Sequence, residues 1–256
     1  MSEMTDQLVS RLVLDAPHRT IVFEHFEIDF CCNGARSLRD ACRARGIDLA
    51  RVVEAIAAAD EAHADIDELP SWLGLRGSAL ADHIERTHHA YLRAELPTMM
   101  ELFEKVTVVH RLRHPELVDA LRVFQALIND LVPHMESEEH VLFPMIRRLE
   151  ETGSKGAGAP RIQCASLEHP LRSMEFEHDA VGGTLSELRE LLERFEAPED
   201  ACPSYRLLLN GLIRLERDLH EHIHKENNLL FPQVRRLMGI PDPGGSSRSA
   251  GPMWIP

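Results

Sequence analysis

The chain has 256 residues, of which 44% are hydrophobic and only 5% aromatic, a composition typical of a helical protein rather than a β-rich one. Its formal net charge of −14 argues against nucleic acid or an anionic membrane surface as the main partner, and no apolar run approaches the ~20 residues of a membrane span. Five cysteines without framework spacing, and no secretion-signal layout in residues 1–10, lead us to expect a cytoplasmic protein.

Residues 1–70 are predicted to form a small helical N-terminal domain. Four stretches in this part of the chain have helical character: LVSRLVL, HRTIVFEHF, SLRDACRARG and LARVVEAIAAADEA. The phrase IDELPSW around Pro70 indicates the end of the domain, and residues 71–77 are interpreted as a linker. Cys31 and Cys32 stand side by side before an Asn-Gly turn, between the second and third stretches.

Residues 78–238 carry four long helical patterns, with breaks near residues 114–115, 152–160 and 197–203. Apolar residues recur at alternating three- and four-residue spacing, which is typical of a helix face that packs inward. The predicted fold class is therefore all-α, an up-down-up-down four-helix bundle preceded by the small helical domain. Residues 239–256 are rich in Gly, Pro and Ser and are predicted to be a disordered tail.

One short phrase occurs twice in the bundle, as HMESEEHVLFP at residues 134–144 and as HIHKENNLLFP at residues 222–232. Each copy begins with a His that is followed four residues later by a Glu. Residues four apart lie on one face of a helix, so that both can bind the same ion. The candidate ligands of the two copies are His134, Glu138, His222 and Glu226.

A lone His precedes each copy at nearly the same distance. His89 lies 45 residues before His134, and His178 lies 44 residues before His222. The repeat therefore has a period of about 88 residues, and the chain is interpreted as a duplicated helical hairpin. Four helices of such a bundle would bring four His and two Glu to one level along its axis.

The candidate ligands fall on the apolar seams of their helices, which is the main reason to expect a buried site. Beyond Glu138 and Glu226, the same spacing predicts that the seams continue through Val141, Met145 and Leu229. Four histidines that fall off the seams are expected to be solvated: His83, His140, His220 and His224.

The first helix of the bundle offers two adjacent candidate ligands, His88 and His89. A seam through His89 continues to Leu92 and Leu96, whereas a seam through His88 meets the charged Glu95. Because an inward face is apolar, His89 is preferred.

Four His and two Glu suit a pair of metal ions bridged by both carboxylates, each ion with two His nitrogens. A bridging oxide or hydroxide would add a fifth ligand and leave one position open on each ion, within reach of oxygen or nitric oxide. Mixed nitrogen and carboxylate ligands without thiolate favour iron or manganese over structural zinc. A single His–Glu pair is more often a surface salt bridge. Six unpaired polar residues in one core, however, would be costly without a metal.

Four motifs, FEIDFCCNGARSLRDAC, HMESEEHVLFP, EFEHDAVGG and HIHKENNLLFP, resemble those of the di-iron iron–sulfur cluster repair family (the YtfE and ScdA type). This resemblance covers residues 1–238, and residues 78–238 resemble the hemerythrin-like domain. It implies that the six candidate residues bind two irons and that Glu138 and Glu226 are the bridging carboxylates. It also implies a role in restoring iron–sulfur clusters damaged by oxidative or nitrosative stress, by supplying iron.

Two other functions stay open at this point: a module that binds or senses oxygen or nitric oxide, and a di-iron enzyme that reduces nitric oxide. The N-terminal cysteines favour repair, because a plain gas carrier has no need of them. We expect an iron donor rather than a conventional turnover enzyme, with damaged iron–sulfur proteins as partners. A homodimer is compatible with the sequence.

Cys31 and Cys32 are candidate redox thiols. Adjacent cysteines bridge each other poorly, because their Cα atoms are only about 3.8 Å apart. They could instead act as a redox-active thiol, form intermolecular disulfides or make transient metal contacts. The alternative is a pair of small side chains packed beneath the turn, and the family resemblance favours the functional role. The remaining cysteines are interpreted as incidental: Cys42, Cys164 and Cys202.

Overall fold

The computed structural model describes residues 2–63, 70–153 and 165–240, and Cys164 and the predicted tail beyond Ile240 lie outside these ranges. Within them every regular element is a helix, apart from one isolated antiparallel bridge between Leu8 and Ser37. The predicted all-α fold class, a helical bundle preceded by a small helical domain, is confirmed. Across this part of the chain, no helix combines the length and apolar character needed to traverse a bilayer.

The described N-terminal part contains short helices, and two of them begin at a polar N-cap residue. The helices are α1 (Ser2–Thr5), α2 (Val9–Asp15), α3 (Thr20–His25), α4 (Leu38–Arg45) and α5 (Leu49–Ala62), with a 3-10 turn at Pro17–Arg19. The Ser37 side chain accepts a hydrogen bond from the backbone N–H of Asp40, and Asp48 accepts one from Ala50, which fixes where α4 and α5 start. Their apolar faces enclose a core of fully buried residues: Leu12, Phe23, Leu38, Val52 and Ile56.

The bundle consists of four long helices, named A to D here, and π-helical turns interrupt three of them. Helix A comprises α6 (Gly77–Ile84), a π turn (Glu85–His89) and α7 (Ala90–His110). Helix B comprises α8 (Glu116–Ser137), a π turn (Glu138–Leu142) and α9 (Phe143–Gly153). Helix C is α10 (Ala165–Leu191), and helix D comprises α11 (Pro203–Lys225), a π turn (Glu226–Leu230) and α12 (Phe231–Met238). Helix A packs against B and D, and helix C packs against B.

The apolar core of the bundle is divided into two clusters. One contains Phe103 and Phe124, whose ring centroids are 5.5 Å apart, and it is continuous with the core of the N-terminal domain. The other, built around Leu80, Phe143 and Phe231, fills the opposite end of the bundle. The level at which the four His and two Glu are predicted to meet, called the polar level here, lies between these clusters. Apolar side chains therefore separate it from solvent at both ends of the bundle.

The seams do not continue as predicted beyond the two Glu residues. Val141 is 49% exposed, and Met145 and Leu229 are only half-buried. The residues that follow them in the chain are fully buried instead: Leu142, Ile146 and Leu230. A π turn closes its hydrogen bond one residue later than an α turn, and each inserted residue therefore rotates the following helix so that the inward face shifts by one position.

One 3-10 turn and several side-chain contacts lie where the two domains meet. Within the predicted linker, Ser71–Gly74 forms a 3-10 turn, and its Trp72 is buried with the Lys225 ammonium 4.7 Å from the ring centroid. The loop after α3 lies along helix D, where Phe30 makes edge-to-face contacts with His220 and His224. The N-terminal domain therefore covers the part of helix D next to the polar level.

Candidate metal centre

The six residues singled out in the sequence meet at one level of the bundle and form two overlapping groups. The ligand atoms within each group all lie within 4.8 Å of one another. One group contains His89 and His222, the other contains His134 and His178, and both contain Glu138 and Glu226. All six side chains are buried.

The two carboxylates are oriented so that each faces both groups. In Glu138, Oε2 lies 3.3 Å from Nε2 of His89, and Oε1 lies 3.4 Å from Nε2 of His134. In Glu226, Oε1 lies 3.3 Å from Nε2 of His222, and Oε2 lies 3.1 Å from Nε2 of His178. Each carboxylate thus directs one oxygen to each pair of histidines, which is the arrangement that a bridging ligand requires.

The imidazoles within each group are spaced as ligands of one ion. Nε2 of His89 lies 3.3 Å from Nε2 of His222, and Nε2 of His134 lies 3.2 Å from Nε2 of His178. Two nitrogens bound at about 2.1 Å to one ion lie about 3.0 Å apart at a right angle and about 3.4 Å apart at a tetrahedral angle. Both observed separations fall within that range.

The carboxylate oxygens provide a test of whether these residues fit a metal. All four oxygens of Glu138 and Glu226 are buried without a hydrogen-bond partner among the described residues. Burial and the charge of Glu226 raise the pKa of Glu138. Two fully desolvated carboxylates side by side are costly unless a cation compensates them. The donor set therefore fits a pair of metal cations.

Local backbone structure places the ligands on helices A, B and D. His89 is the last residue of one π turn, and Glu138 and Glu226 are each the first residue of another. π turns are rare and are often found at functional sites. The fourth helix reaches the site without one, because His178 lies in the regular α-helix of helix C.

Three of the four imidazoles donate their outer N–H to a neighbouring side chain. The Nδ1 atoms of His89 and His134 donate to Glu139 and Glu177, each at 2.7 Å. Nδ1 of His178 lies 2.8 Å from Oδ1 of Asn227. These bonds fix the tautomer in which Nε2 carries the lone pair that a metal ion binds.

Two of these supporting residues occupy the same position in the two repeated phrases. Glu139 follows Glu138 and supports His89, and Asn227 follows Glu226 and supports His178. In each repeated phrase, the residue that directly follows the Glu orients a ligand His. This His is the lone His that precedes the phrase in the chain. Position in the repeat indicates the role, although one copy has a carboxylate and the other an amide.

The fourth imidazole, His222, has a different environment. Its Nδ1 has no hydrogen-bond partner among the described residues, and its ring stacks on that of His88 with centroids 5.3 Å apart. Burial lowers the pKa of His222 to about 3. His88 itself lies outside both groups, because Lys225 donates to its Nε2 at 2.8 Å and its Nδ1 donates to Asp218.

The prediction that the off-seam histidines are solvated is wrong for His224. Its ring is buried, its Nδ1 donates to the backbone carbonyl of Phe30 at 3.2 Å, and burial lowers its pKa to about 4. His83 and His220 are half-buried, whereas His140 is exposed as predicted. Bundle periodicity does not reveal that the N-terminal domain covers this side of helix D.

The predicted thiols lie in the loop that contacts helix D. Cys31 is buried and Cys32 is half-buried, and their Sγ atoms are 3.8 Å apart, which means that both are free thiols. A hydrogen bond with Cys32 and burial raise the pKa of Cys31 well above its usual range. Asn227 and Asn228 donate to the backbone carbonyl of Cys31 at 3.3 and 3.0 Å. One side chain, Asn227, thus contacts both this loop and the ligand group.

Comparison with known proteins reveals similarity over most of the chain. Residues 5–60 match the model of the ScdA N-terminal domain, which is described as a domain of unknown function, and residues 80–234 match the hemerythrin HHE cation binding domain. The chain is 34% identical over 233 residues to the iron–sulfur cluster repair protein YtfE of Yersinia pestis, covering 90% of this chain and 97% of that protein. The proteins of the same name from Musicola paradisiaca and Dickeya chrysanthemi are 33% and 32% identical, with the same two coverages.

Proposed function

Because the chain belongs to the family of iron–sulfur cluster repair proteins, we propose that it restores iron–sulfur clusters damaged by oxidative or nitrosative stress. In this proposal it supplies iron from a di-iron centre, and its partners are damaged iron–sulfur proteins. It acts as an iron donor rather than as a conventional turnover enzyme. The observation that supports the di-iron centre is the pair of buried carboxylates whose four oxygens have no hydrogen-bond partner among the described residues.

In the proposed centre each iron takes two histidine nitrogens and shares both carboxylates. The assignments are His89 with His222 on one iron, His134 with His178 on the other, and Glu138 and Glu226 as bridges. When bound, the two irons with an oxide or hydroxide between them supply Lewis acidity and one-electron chemistry. Four protein ligands per iron would leave coordination positions free for oxygen, nitric oxide or an acceptor ligand.

The chain's own residues make the two halves of the centre unequal. His134 and His178 both have hydrogen-bonded outer nitrogens, whereas no described residue bonds to the outer nitrogen of His222. Because such bonds orient a ligand and raise its basicity, the iron on His89 and His222 is held less firmly.

The function is tested by reactivation of an enzyme whose [4Fe–4S] cluster has been damaged with nitric oxide. The iron-loaded wild-type protein is expected to restore its activity without added iron. The His134→Ala variant is expected to hold less than two irons and to restore little activity. His140→Ala is the matched control, because His140 is exposed on the same helix and its only hydrogen bond given by the structure is to a backbone carbonyl.

Two outcomes would contradict the proposal. Two irons per chain retained in both His134→Ala and Glu226→Ala would exclude the proposed ligands. A wild-type protein that binds nitric oxide tightly and reactivates nothing would instead favour a sensor.

A further inference from the structure

A third group of metal-ligating atoms lies in the N-terminal loop, outside the bundle. The Sγ atoms of Cys31 and Cys32 are 3.8 Å apart, and Oδ1 of Asp29 lies 3.3 Å from Sγ of Cys31. Two sulfurs bound at about 2.3 Å to one tetrahedral ion are about 3.8 Å apart, and a sulfur and an oxygen are about 3.5 Å apart. A disulfide would require about 2.05 Å between the sulfurs. The two measured separations are close to those of ligands of a single ion, and the ligand atoms of all three residues lie within 4.8 Å of one another.

The loop holds these atoms in place before any ion binds. Oδ1 of Asp29 accepts hydrogen bonds from the backbone N–H groups of Cys31 and Cys32 at 3.0 and 2.8 Å. On the other side of the loop, a Cβ atom on Gly34 would lie 2.5 Å from the carbonyl oxygen of Phe30, and the close turn therefore requires glycine. A site assembled in advance binds its ligand with less loss of entropy.

A cavity of about 370 Å³ opens beside the thiols. Asp179 of helix C also lines this cavity. Carboxylates outnumber guanidinium groups in the cavity wall, and the acidic lining residues are Glu24, Glu27, Asp29, Asp179 and Glu216. Oε1 of Glu24 is buried and accepts no hydrogen bond from the part of the chain that the structure describes. Glu27 and Glu216 pair with arginines, and the acidic charge that remains beside the thiols is that of Asp29 and Asp179, which attracts cations.

The loop lies close to the ligand group of the bundle. Cys32 Sγ is 3.9 Å from the position that a Cβ atom on Gly182 would take, and Gly182 lies one helical turn after His178. Asn227 joins the backbone of Cys31 to the outer nitrogen of the same His178. An ion leaving the bundle on this side would meet the thiols next.

We propose that Cys31, Cys32 and Asp29 form a second metal site, which binds one divalent first-row ion and keeps its fourth position open toward the cavity. In repair, this site would transfer ferrous iron from the bundle to the acceptor. That role rests on the proposed function, whereas the existence of the metal site does not depend on it. Iron passes through it as Fe²⁺ without a change of oxidation state, and each thiol that becomes a ligand releases its proton to water.

The site is tested with Co²⁺ added to the full chain that already holds two irons, without oxygen and with a reductant that is not a thiol. One further cobalt per chain is expected, with thiolate-to-cobalt charge-transfer absorption. Cys32→Ser is expected to weaken this binding by more than about 100-fold, beyond the effect of losing a supporting hydrogen bond. Cys202→Ser is the control, because Cys202 is a free thiol that contacts His110 at the last residue of α7.

Iron content, measured in the same samples, separates the two proposals. Cys31→Ser and Cys32→Ser are both expected to retain two irons, which excludes unfolding as the cause of lost cobalt binding. A wild-type protein with two irons and no thiolate–cobalt band would overturn the thiol site and leave the proposed function intact. A band that persists in both serine variants would also overturn the site. A wild-type protein that does not hold two irons would refute the proposed function instead.

Discussion

The Nδ1 atom of His178 lies 2.8 Å from Oδ1 of Asn227, and Nδ2 of the same asparagine donates to the backbone carbonyl of Cys31. The amide orientation is fixed by these two partners, because a carbonyl accepts and cannot donate. His178 is therefore the donor in the first bond, and its Nε2 is left unprotonated toward the metal group. A single side chain orients a proposed ligand and also attaches the cysteine loop to the bundle.

Replacement of Asn227 is expected to affect both of these contacts. In Asn227→Ala, His178 loses the partner of its outer nitrogen, and the affinity for iron should fall by about 10- to 100-fold, which is typical of such supporting residues. Backbone amides of the loop around Cys31 should exchange faster with solvent, because one attachment to helix D is lost. Competition with a chelator measures the first effect, and hydrogen exchange measures the second.

Asn228→Ala separates these effects. Asn228 donates to the carbonyls of Phe30 and Cys31, and its hydrogen bonds within the described residues reach none of the six proposed iron ligands of the bundle. This variant should loosen the loop while keeping the iron affinity of the wild type. Equal loss of iron in both variants would contradict the role assigned to Asn227.

The unequal support of the histidines predicts that a chelator removes the two irons at different rates. Glu139 accepts from His89, on the proposed weaker iron, and Glu177 accepts from His134, on the firmer one. Glu139→Ala should therefore accelerate the fast phase, and Glu177→Ala the slow phase, each by about tenfold or more. Glu139→Gln should largely restore the wild-type rate, because its amide oxygen still accepts the bond. A single phase in the wild type would show that the irons are equivalent.

Helix periodicity was sufficient to predict the bundle and the convergence of six side chains, because both depend on which residues share a face. It did not predict the π turns, since no local preference of residues such as Glu138 signals one extra residue in a turn. The regular α-helical spacing therefore predicts Val141 and Leu229 on the inward face, where the structure has Leu142 and Leu230. The burial of His224 was missed for another reason, because it depends on contact with Phe30, 194 positions away in the chain.

Because of the π turn in helix B, truncation of two neighbouring side chains to Ala should have very different effects on the free energy of unfolding. Leu142 is fully buried, and Leu142→Ala should lower the free energy of unfolding by about 2–5 kcal/mol. Val141 is 49% exposed, and Val141→Ala should change the free energy of unfolding by no more than about 0.5 kcal/mol. Urea unfolding of the two variants measures the difference. The opposite ranking would mean that helix B continues as a regular α-helix.

A carboxylate in the N-terminal domain predicts acid sensitivity that is independent of the metal ligands. Asp60 of α5 accepts hydrogen bonds from Nε and Nη2 of Arg19 at 2.8 and 2.7 Å, and its Oδ1 lies 2.8 Å from Nε2 of His18. The bonds from Arg19 outweigh burial and lower the pKa of Asp60 below its usual 3.8. A carboxyl group with a lowered pKa stabilises the fold above its unfolded-state pKa, and this stabilisation is lost as pH falls through the lower folded-state value.

Asp60→Asn should therefore destabilise the metal-free chain at pH values well above 3.8, the usual pKa. The expected loss is about 1 kcal/mol at neutral pH, because solvent screens a pair that is partly exposed. The difference in the free energy of unfolding between this variant and the wild type should shrink once the pH falls below 3.8. Below that pH, Asp60 gains a proton in the unfolded wild-type chain. Asp15→Asn is the control, since Asp15 pairs with the exposed Arg11 within one helix, and its effect should stay within about 0.5 kcal/mol. Urea unfolding followed by circular dichroism across this pH range gives the comparison. A gap for Asp60→Asn that does not change with pH would show that the lost stability comes from side-chain shape and not from the carboxylate charge.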